Sequence, residues 1–377
     1  MTRTPILQFD SLQLAEWFSA RGEPAYRARQ VQRWIFERRA QTFQQMTDLP
    51  RQTRAALADR FAILGSSVET TRATADDTRK LLVRLADGQA VECVLLAEGS
   101  RRTVCVSTQV GCGMGCVFCA SGLDGVLRNL EAYEIVEQFL HARNMLKVDE
   151  HLTHAVIMGM GEPLANLDNL LAALELVCSP DGLNLGQRHV TISTVGLPPR
   201  IRQLADAGKG YHLAVSLHAP DDELRNRLVP PNAKVGIESV LQAADYFATR
   251  TGRQVTYEYV LLRDVNDLPE HARMLARRLA TRKVHVNLIP YNPVEGLPYA
   301  TPRSESVRQF AETLRHAGLS VKVRKTKGRK IDAACGQLRL TSKSVSANAE
   351  HSPAMTALDL ISLDPGVPGP QRLNENV

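Results

Sequence analysis

CVSTQVGCGMGCVFCASG, residues 105–122, sets Cys112, Cys116 and Cys119 in a C-x3-C-x2-C run, with Cys105 seven residues upstream. Four of the chain's seven cysteines fall within these fifteen residues. Three thiolates are one short of the four that close a zinc site or fully ligate an iron-sulfur cluster. If they hold a [4Fe-4S] cluster, one iron has no protein ligand and is open to a small molecule. Structural zinc with a distant fourth ligand, and free thiols packed as small hydrophobes, are the alternatives. Gly111, Gly113 and Gly115 allow the tight backbone turns that a bulky inorganic ligand needs, and Phe118 directly precedes the third cysteine.

Working outward from this loop, a strand at about 103–107 leads into it. Further strand-like apolar runs follow at 154–158 (HAVIM), 189–193 (HVTIS), 211–217 (YHLAVSL), 254–261 and 283–289 (KVHVNLI). Helical periodicity lies between them, including about 131–146, 167–178, 237–249, 268–281 and 304–317. Six β-α units imply an α/β fold with a parallel sheet and its chemistry at the carboxyl ends of the strands. A partial (β/α)6 TIM-like barrel, open on one side, suits a large substrate; periodicity alone equally allows an open doubly wound sheet.

Upstream, residues 11–62 read as helical, with Leu12, Trp17 and Phe18, then Val31, Trp34 and Ile35, at helical spacing. Asp48-Leu49-Pro50 marks a turn that starts a third helix. Arg27, Arg29, Arg33, Arg38, Arg39, Arg51 and Arg54 are spread through this small bundle; they read either as a solvated surface or as a nucleic-acid docking face. From about 66 to 107 the pattern turns to alternation, and Asp87-Gly88 between two β-prone runs predicts a tight hairpin. The expected divisions are an N-terminal helical accessory domain at 1–65, a β-hairpin extension at 66–102, a core at 103–340 and a low-order tail at 341–377. The tail is rich in Ser, Asn, Pro and Gly.

The formal charge of +6 over 377 residues favours a polyanionic partner. No apolar run is long enough to cross a bilayer, and MTRTPILQFD lacks a signal peptide's pattern. A cytoplasmic protein with no membrane contact is therefore expected. Clustered cysteines in such a chain point to metal binding or catalysis rather than a disulfide framework.

The candidate functional residues gather after the strands. Gly159-Met160-Gly161-Glu162-Pro163 is a glycine-rich turn with one carboxylate, suited to binding an amino group; Ser193-Thr194-Val195-Gly196, Ser216-Leu217-His218 and Pro290-Tyr291-Asn292-Pro293 follow later strands. Singly each is a turn or a cap; together they line one rim. Near the end, VKVRKTKGRK (321–330) has six basic residues and no acidic one, and IDAACGQL after it contains Cys335. A basic run beside a cysteine can clamp phosphates while the thiol approaches a base.

QVGCGMGCVFCASG, MGMGEPLAN, ISTVG, SLHAP, LIPYNP and IDAACGQL, in this order over roughly residues 10–340, resemble the RlmN/Cfr family of radical S-adenosylmethionine (SAM) RNA methyltransferases. The resemblance implies the radical SAM partial barrel and methylation of C2 of an adenosine in 23S rRNA and in tRNA. Methylation of C8 of the same rRNA adenosine is the alternative within the family. A non-catalytic RNA-binding protein with a structural metal is a remote one. It further implies that Cys112, Cys116 and Cys119 ligate one [4Fe-4S] cluster, and that Gly161, Glu162, Ser193, Ser216, Leu217, His218 and Asn292 bind SAM. Two SAM molecules are used per turnover. Cys335 carries the methyl group, Cys105 releases the product by forming a disulfide with Cys335, and Glu92 takes a proton. By position alone Glu92 is an ordinary strand glutamate. An electron donor such as flavodoxin and a monomeric state come with the same resemblance. Cys93 and Cys178 match no family role and read as core cysteines. Arg329-Lys330 depart from the polar or acidic residues expected there, which bears on local RNA contact rather than on the reaction.

Overall fold

The computed structural model describes residues 3–324, 328 and 331–338. The tail from 341 and the Arg329-Lys330 pair lie outside these described residues. Ten strands form the main sheet: β1 (Ser67–Ala73), β2 (Arg79–Arg84), β3 (Ala90–Glu98), β4 (Arg101–Cys105), β5 (His154–Ile157), β6 (Val190–Thr194), β7 (His212–Ser216), β8 (Val255–Leu261), β9 (Val284–Pro290) and β10 (Ser320–Val323). They lie side by side in chain order. β1 to β4 pair antiparallel and β4 to β10 parallel. The two outer strands do not pair with each other, so the sheet stays open as a partial barrel.

The helices are α1 (Ser11–Ser19), α2 (Arg27–Phe36), α3 (Arg51–Arg60), α4 (Ala132–Asn144), α5 (Leu167–Cys178), α6 (Pro198–Asp206), α7 (Asp222–Leu228), α8 (Ile237–Thr251), α9 (Pro269–Leu279) and α10 (Ser304–His316), beside shorter turns. Most follow the apolar spacing read from the sequence. α6 does not, because it opens on Pro198-Pro199, which reads as a breaker; at the first helical positions a missing N–H costs nothing. α7 is short and is started by the Asp221 side chain, which accepts from the Leu224 N–H at 2.8 Å.

Two further differences concern strands. The seventh parallel strand, β10, ends inside the basic run: Val321 and Val323 alternate with Ser320 and Lys322, a β pattern that the charges disguise. The extension is three-stranded, since β1 joins the β2–β3 hairpin; its turn closes where Asp87-Gly88 predicts, with the Leu85 N–H donating to Gln89 O at 2.8 Å.

The N-terminal bundle buries Phe18, Val31, Ile35, Leu57 and Phe61 and is fastened to α4. Arg143 donates to the carbonyls of Ile35, at 3.0 Å, and Phe36, satisfying acceptors at the carboxyl end of α2. Glu137 accepts from the Gly65 and Ser66 N–H groups at 2.6 and 2.8 Å. Arg39 reaches the carbonyls of Leu146 and Lys147 at 3.0 and 2.9 Å. Part of the arginine set is thus structural, whereas Arg29, Arg33, Arg38 and Arg51 remain exposed.

Candidate active site

At the carboxyl ends of the parallel strands lies a cavity of about 150 Å³, partly open to solvent. Cys112, Cys116, Cys119, Gly161, Glu162, Ser193, Ser216, His218, Asn292 and Cys335 all line it. Five separate strand ends and the terminal turn therefore converge. Cys105, Glu92 and Leu217 do not line the cavity.

Each rim residue is held for a local reason. Gly161 has φ of 104°, and a Cβ there would lie 2.7 Å from Gln109 Cβ, so the turn requires glycine. Glu162, 2% exposed, accepts from the N–H groups of Leu164 at 3.0 Å and Val195 at 2.9 Å. Burial nevertheless raises its pKa to about 7. An ammonium group brought against it would restore the charged form. His218 sits at φ of 60° with its Nδ1 accepting from the Val260 N–H at 3.1 Å, and Phe118 packs edge-on against its ring at 4.9 Å. Burial, with Arg225 nearby, pushes its pKa down to about 3, so the imidazole is neutral.

The cysteine loop folds through Gly111 and Gly115, both at positive φ, and the Cys119 N–H donates to Cys116 O at 3.1 Å. Burial raises the Cys112 thiol to about 12, raises Cys116 well above its usual value and raises Cys119 too; the thiols also raise one another. Such thiols need a bound positive charge to ionise. Among the described residues no three His, Cys, Asp or Glu side chains converge as the ligands of a single ion must. Three thiols lining one cavity fit a [4Fe-4S] cluster that keeps one iron without a protein ligand.

Cys335 is exposed on a turn tied down from three sides. Ala120 N–H donates to Gly336 O at 2.8 Å and Ser121 Oγ to Leu338 O at 2.6 Å, both from the cysteine loop. Gln337 Nε2 donates to Pro293 O at 2.9 Å, and Lys80 Nζ to Asp332 O at 3.1 Å. Cys105 ends β4, where burial pushes its thiol up to about 12; Cys335 adds to the shift and Arg324 opposes it. These two thiols, 230 residues apart in sequence, are therefore electrostatic neighbours.

Glu92 departs from the solvent-facing strand glutamate: it is buried, and its Oε1 lies 2.8 Å from Lys80 Nζ. Sheet register explains the placement. Lys80 stands opposite Val94, Val94 opposite Cys105 and Cys105 opposite Val156, so Lys80, Cys105 and Glu92, two residues before Val94, share one face. Cys93 is fully buried, as a core cysteine should be, and Cys178 is half-buried at the end of α5; neither lines the cavity.

Sequence reasoning missed four charged residues. Glu258 on β8 lines the cavity and accepts from Asn287 Nδ2 at 3.1 Å; burial raises its pKa. Arg324, also on the wall, lies 3.8 Å from Glu258 and is held charged first by Cys335. Lys80 joins Glu92 to the Cys335 turn, and Arg225 joins the ends of β6 and β7. Only position three after Asp221-Asp222 marks Arg225 in the sequence, which is the ordinary pattern of a helix start.

An open parallel sheet with a three-cysteine loop after its first parallel strand defines a radical SAM enzyme, and residues 106–276 match the family model "Radical SAM superfamily". Its cofactors are a [4Fe-4S] cluster and SAM. Residues 4–63 match "Ribosomal RNA large subunit methyltransferase N-terminal domain". A probable dual-specificity RNA methyltransferase RlmN of Rhodopirellula baltica is 55% identical over 334 residues, covering 89% of this chain and 90% of that protein. The corresponding protein of Symbiobacterium thermophilum is 46% identical over 339 residues, covering 89% and 91%. The crystal structure of a radical SAM methyltransferase from Sphaerobacter thermophilus superposes with a TM-score of 0.86 at 42% identity, covering 89% of this chain and 99% of that one. The chain belongs to the RlmN family.

Proposed function

We propose that this chain methylates C2 of an adenosine in 23S rRNA and in tRNA through an S-methylated Cys335. The observation that carries the reading is the convergence on one cavity of the three-cysteine loop, the Gly161-Glu162 turn and the Cys335 turn. C2 of adenine has no nucleophilic lone pair, and the cluster and SAM, when bound, supply the electron and the radical that such a carbon requires.

The residues divide the work. Cys112, Cys116 and Cys119 hold the cluster. Gly161 lets the backbone approach the amino end of SAM and Glu162 receives its ammonium; Ser193, Ser216, the Leu217 backbone, His218 and Asn292 complete the site. Cys335 takes the methyl group on sulfur and presents it to the base. The methyl group on Cys335 loses a hydrogen atom to the radical that bound SAM supplies, so that its carbon bonds C2 and joins enzyme to RNA. The adduct gives up one electron and Glu92 accepts the C2 proton. Cys105 then attacks the Cys335 sulfur, forming a disulfide as the carbon–sulfur bond breaks, and the released carbon takes up a proton to become the methyl group. Arg324 opposes the rise that burial imposes on the Cys105 thiol.

The exposed arginines of α2 and α3 form the RNA-docking face of an accessory domain at 1–65. The extension at 66–102, the core at 103–340 and the tail at 341–377 complete the division. The protein works as a cytoplasmic monomer supplied with electrons by a flavodoxin-like donor. Among the described residues no helix is long and apolar enough to cross a membrane.

Nucleosides released from rRNA and from tRNA after reaction with the cluster-loaded enzyme, resolved by mass spectrometry, test the reading. The expected product is 2-methyladenosine in both. Appearance of 8-methyladenosine alone would transfer the chain to C8 chemistry, and absence of any methylated adenosine would end the proposal.

A further inference from the structure

Arg225 is 1% exposed and has no carboxylate partner among the described ion pairs. Its guanidinium spends its donors on neutral oxygens: Nε on Leu217 O at 3.0 Å, Nη2 on Ser216 O at 3.1 Å and on Val195 O, and Nη1 on Asn232 Oδ1. Asp222, an exposed residue, is reached only through Asn232, whose Nδ2 donates to it at 2.7 Å. Burying a cation among carbonyls alone is costly unless an anion lies close by.

The neighbourhood supplies that anion. Helix α7, which carries Arg225, packs on the cysteine loop: the Val117 N–H donates to Leu228 O at 3.2 Å, and Leu224, Leu228 and Phe118 share one apolar cluster with Cys116. A thiolate at Cys116 would favour the charged Arg225 more than Asp222 does. Three thiolates outweigh the two positive charges of an oxidised [4Fe-4S] core, so the loaded site is a net anion beside a buried cation. The same guanidinium ties together the carbonyls of Val195, Ser216 and Leu217, at the strand ends that form the proposed SAM rim.

We propose that Arg225 is a positioning residue with two effects: it is the buried counter-cation of the three-thiolate site, and its planar fork fixes the strand ends against which SAM binds. The inference rests on Cys112, Cys116 and Cys119 being the cluster ligands. Charge near a cluster sets its reduction potential, and loss of a cation disfavours the reduced, more negative form. A lysine keeps the charge yet cannot span three carbonyls.

The test uses the full-length, cluster-loaded protein without RNA. Arg225→Gln and Arg225→Lys are compared with wild type by iron content, by the reduced-to-oxidised ratio at one poised potential, read from the electron paramagnetic resonance signal, and by equilibrium SAM binding. Arg225→Gln is expected to lower the ratio about tenfold, equivalent to about 59 mV for one electron. Arg225→Lys should keep the ratio within about threefold near neutral pH, while both variants bind SAM about tenfold more weakly. An Arg225→Gln protein with full iron and an unchanged ratio overturns the counter-cation. SAM binding unchanged in both overturns the clamp. If the glutamine variant does not fold, Arg225→Lys read at rising pH provides the neutral state. Its ratio should fall as the buried lysine loses its proton while the wild-type ratio does not, and parallel curves would refute the idea. Cys116→Ala separates the underlying assignment: full iron in that variant removes Cys116 as a ligand, whatever Arg225 does.

Discussion

Replacing Lys80 by methionine removes one half of a buried ion pair and, with it, the ammonium's bond to the Asp332 carbonyl that ties the β extension to the Cys335 turn. The ammonium lies 2.8 Å from Glu92 Oε1, and the two side chains are only 10% and 7% exposed. Taking one partner from such a pair leaves a buried charge without its counter-ion and costs about 3–5 kcal/mol. Glu92→Gln is milder, at about 2 kcal/mol, because Lys80 keeps an amide acceptor and its bond to Asp332 O. The double variant has no charge left to desolvate and should cost about 2 kcal/mol, since a well-packed neutral pair often replaces a buried ionic one without loss. The single costs therefore exceed the double by about 3 kcal/mol or more. Urea midpoints of the four proteins give this coupling directly. Lys80→Met should also speed hydrogen exchange in the 331–338 peptide, which loses its tie to β2. Costs that add to within about 0.5 kcal/mol would show that the two charges do not depend on each other, and unchanged exchange at 331–338 in Lys80→Met would mean that the joint between extension and turn lies elsewhere.

Cys105→Ala is expected to accumulate a covalent protein–RNA adduct, visible as a shifted band on a denaturing gel, because Cys335 can still be methylated and can still attack; Cys335→Ala should form none. Clean turnover by Cys105→Ala would mean that another thiol resolves the adduct. Burial lowers the pKa of His141 from 6.5 to about 4, so the fold holds a neutral ring. The stability this confers is full above pH 6.5 and is lost as the pH falls toward 4, at about 1.4 kcal/mol per unit. Between pH 7 and 4.5, urea midpoints should therefore decline less in His141→Gln than in wild type, by about 2 kcal/mol; equal slopes would exclude His141 as a source of acid lability. Gly161→Ala forces a Cβ to within 2.7 Å of Gln109 Cβ at a φ that favours glycine, and SAM affinity measured by equilibrium dialysis should fall about tenfold or more. Wild-type affinity in that variant would mean that the turn yields without disturbing the rim.

The cysteine loop, the Gly161-Glu162 turn and the Cys335 motif were legible because their chemistry is contiguous in sequence and each stands at the end of an apolar strand. Helices α4, α5, α8, α9 and α10 were legible for a similar reason: each has one apolar face long enough to show a period. Lys80, Glu258, Arg225 and Arg324 were not, because a charged residue on a short strand or helix reads as a solvated one. Only register shows otherwise. Ser216, Glu258, Asn287 and Lys322 stand in one row across four strands, a relation with no trace in local sequence. α6 was obscured by its prolines and β10 by the basic run it leads into, in each case because a local signal masked a weaker periodic one.

The ten strands lie in the order in which they are synthesised, so each strand after the first finds its preceding neighbour already made. The Cys335 turn breaks that rule. It reaches back across the whole sheet to Ala120, Ser121 and Lys80, contacts that span more than 200 residues. A nascent chain therefore holds the cysteine loop and much of the rim long before it holds Cys335. On the proposed reaction, a prematurely ended chain would have the cluster-binding half without the thiol that receives the methyl group.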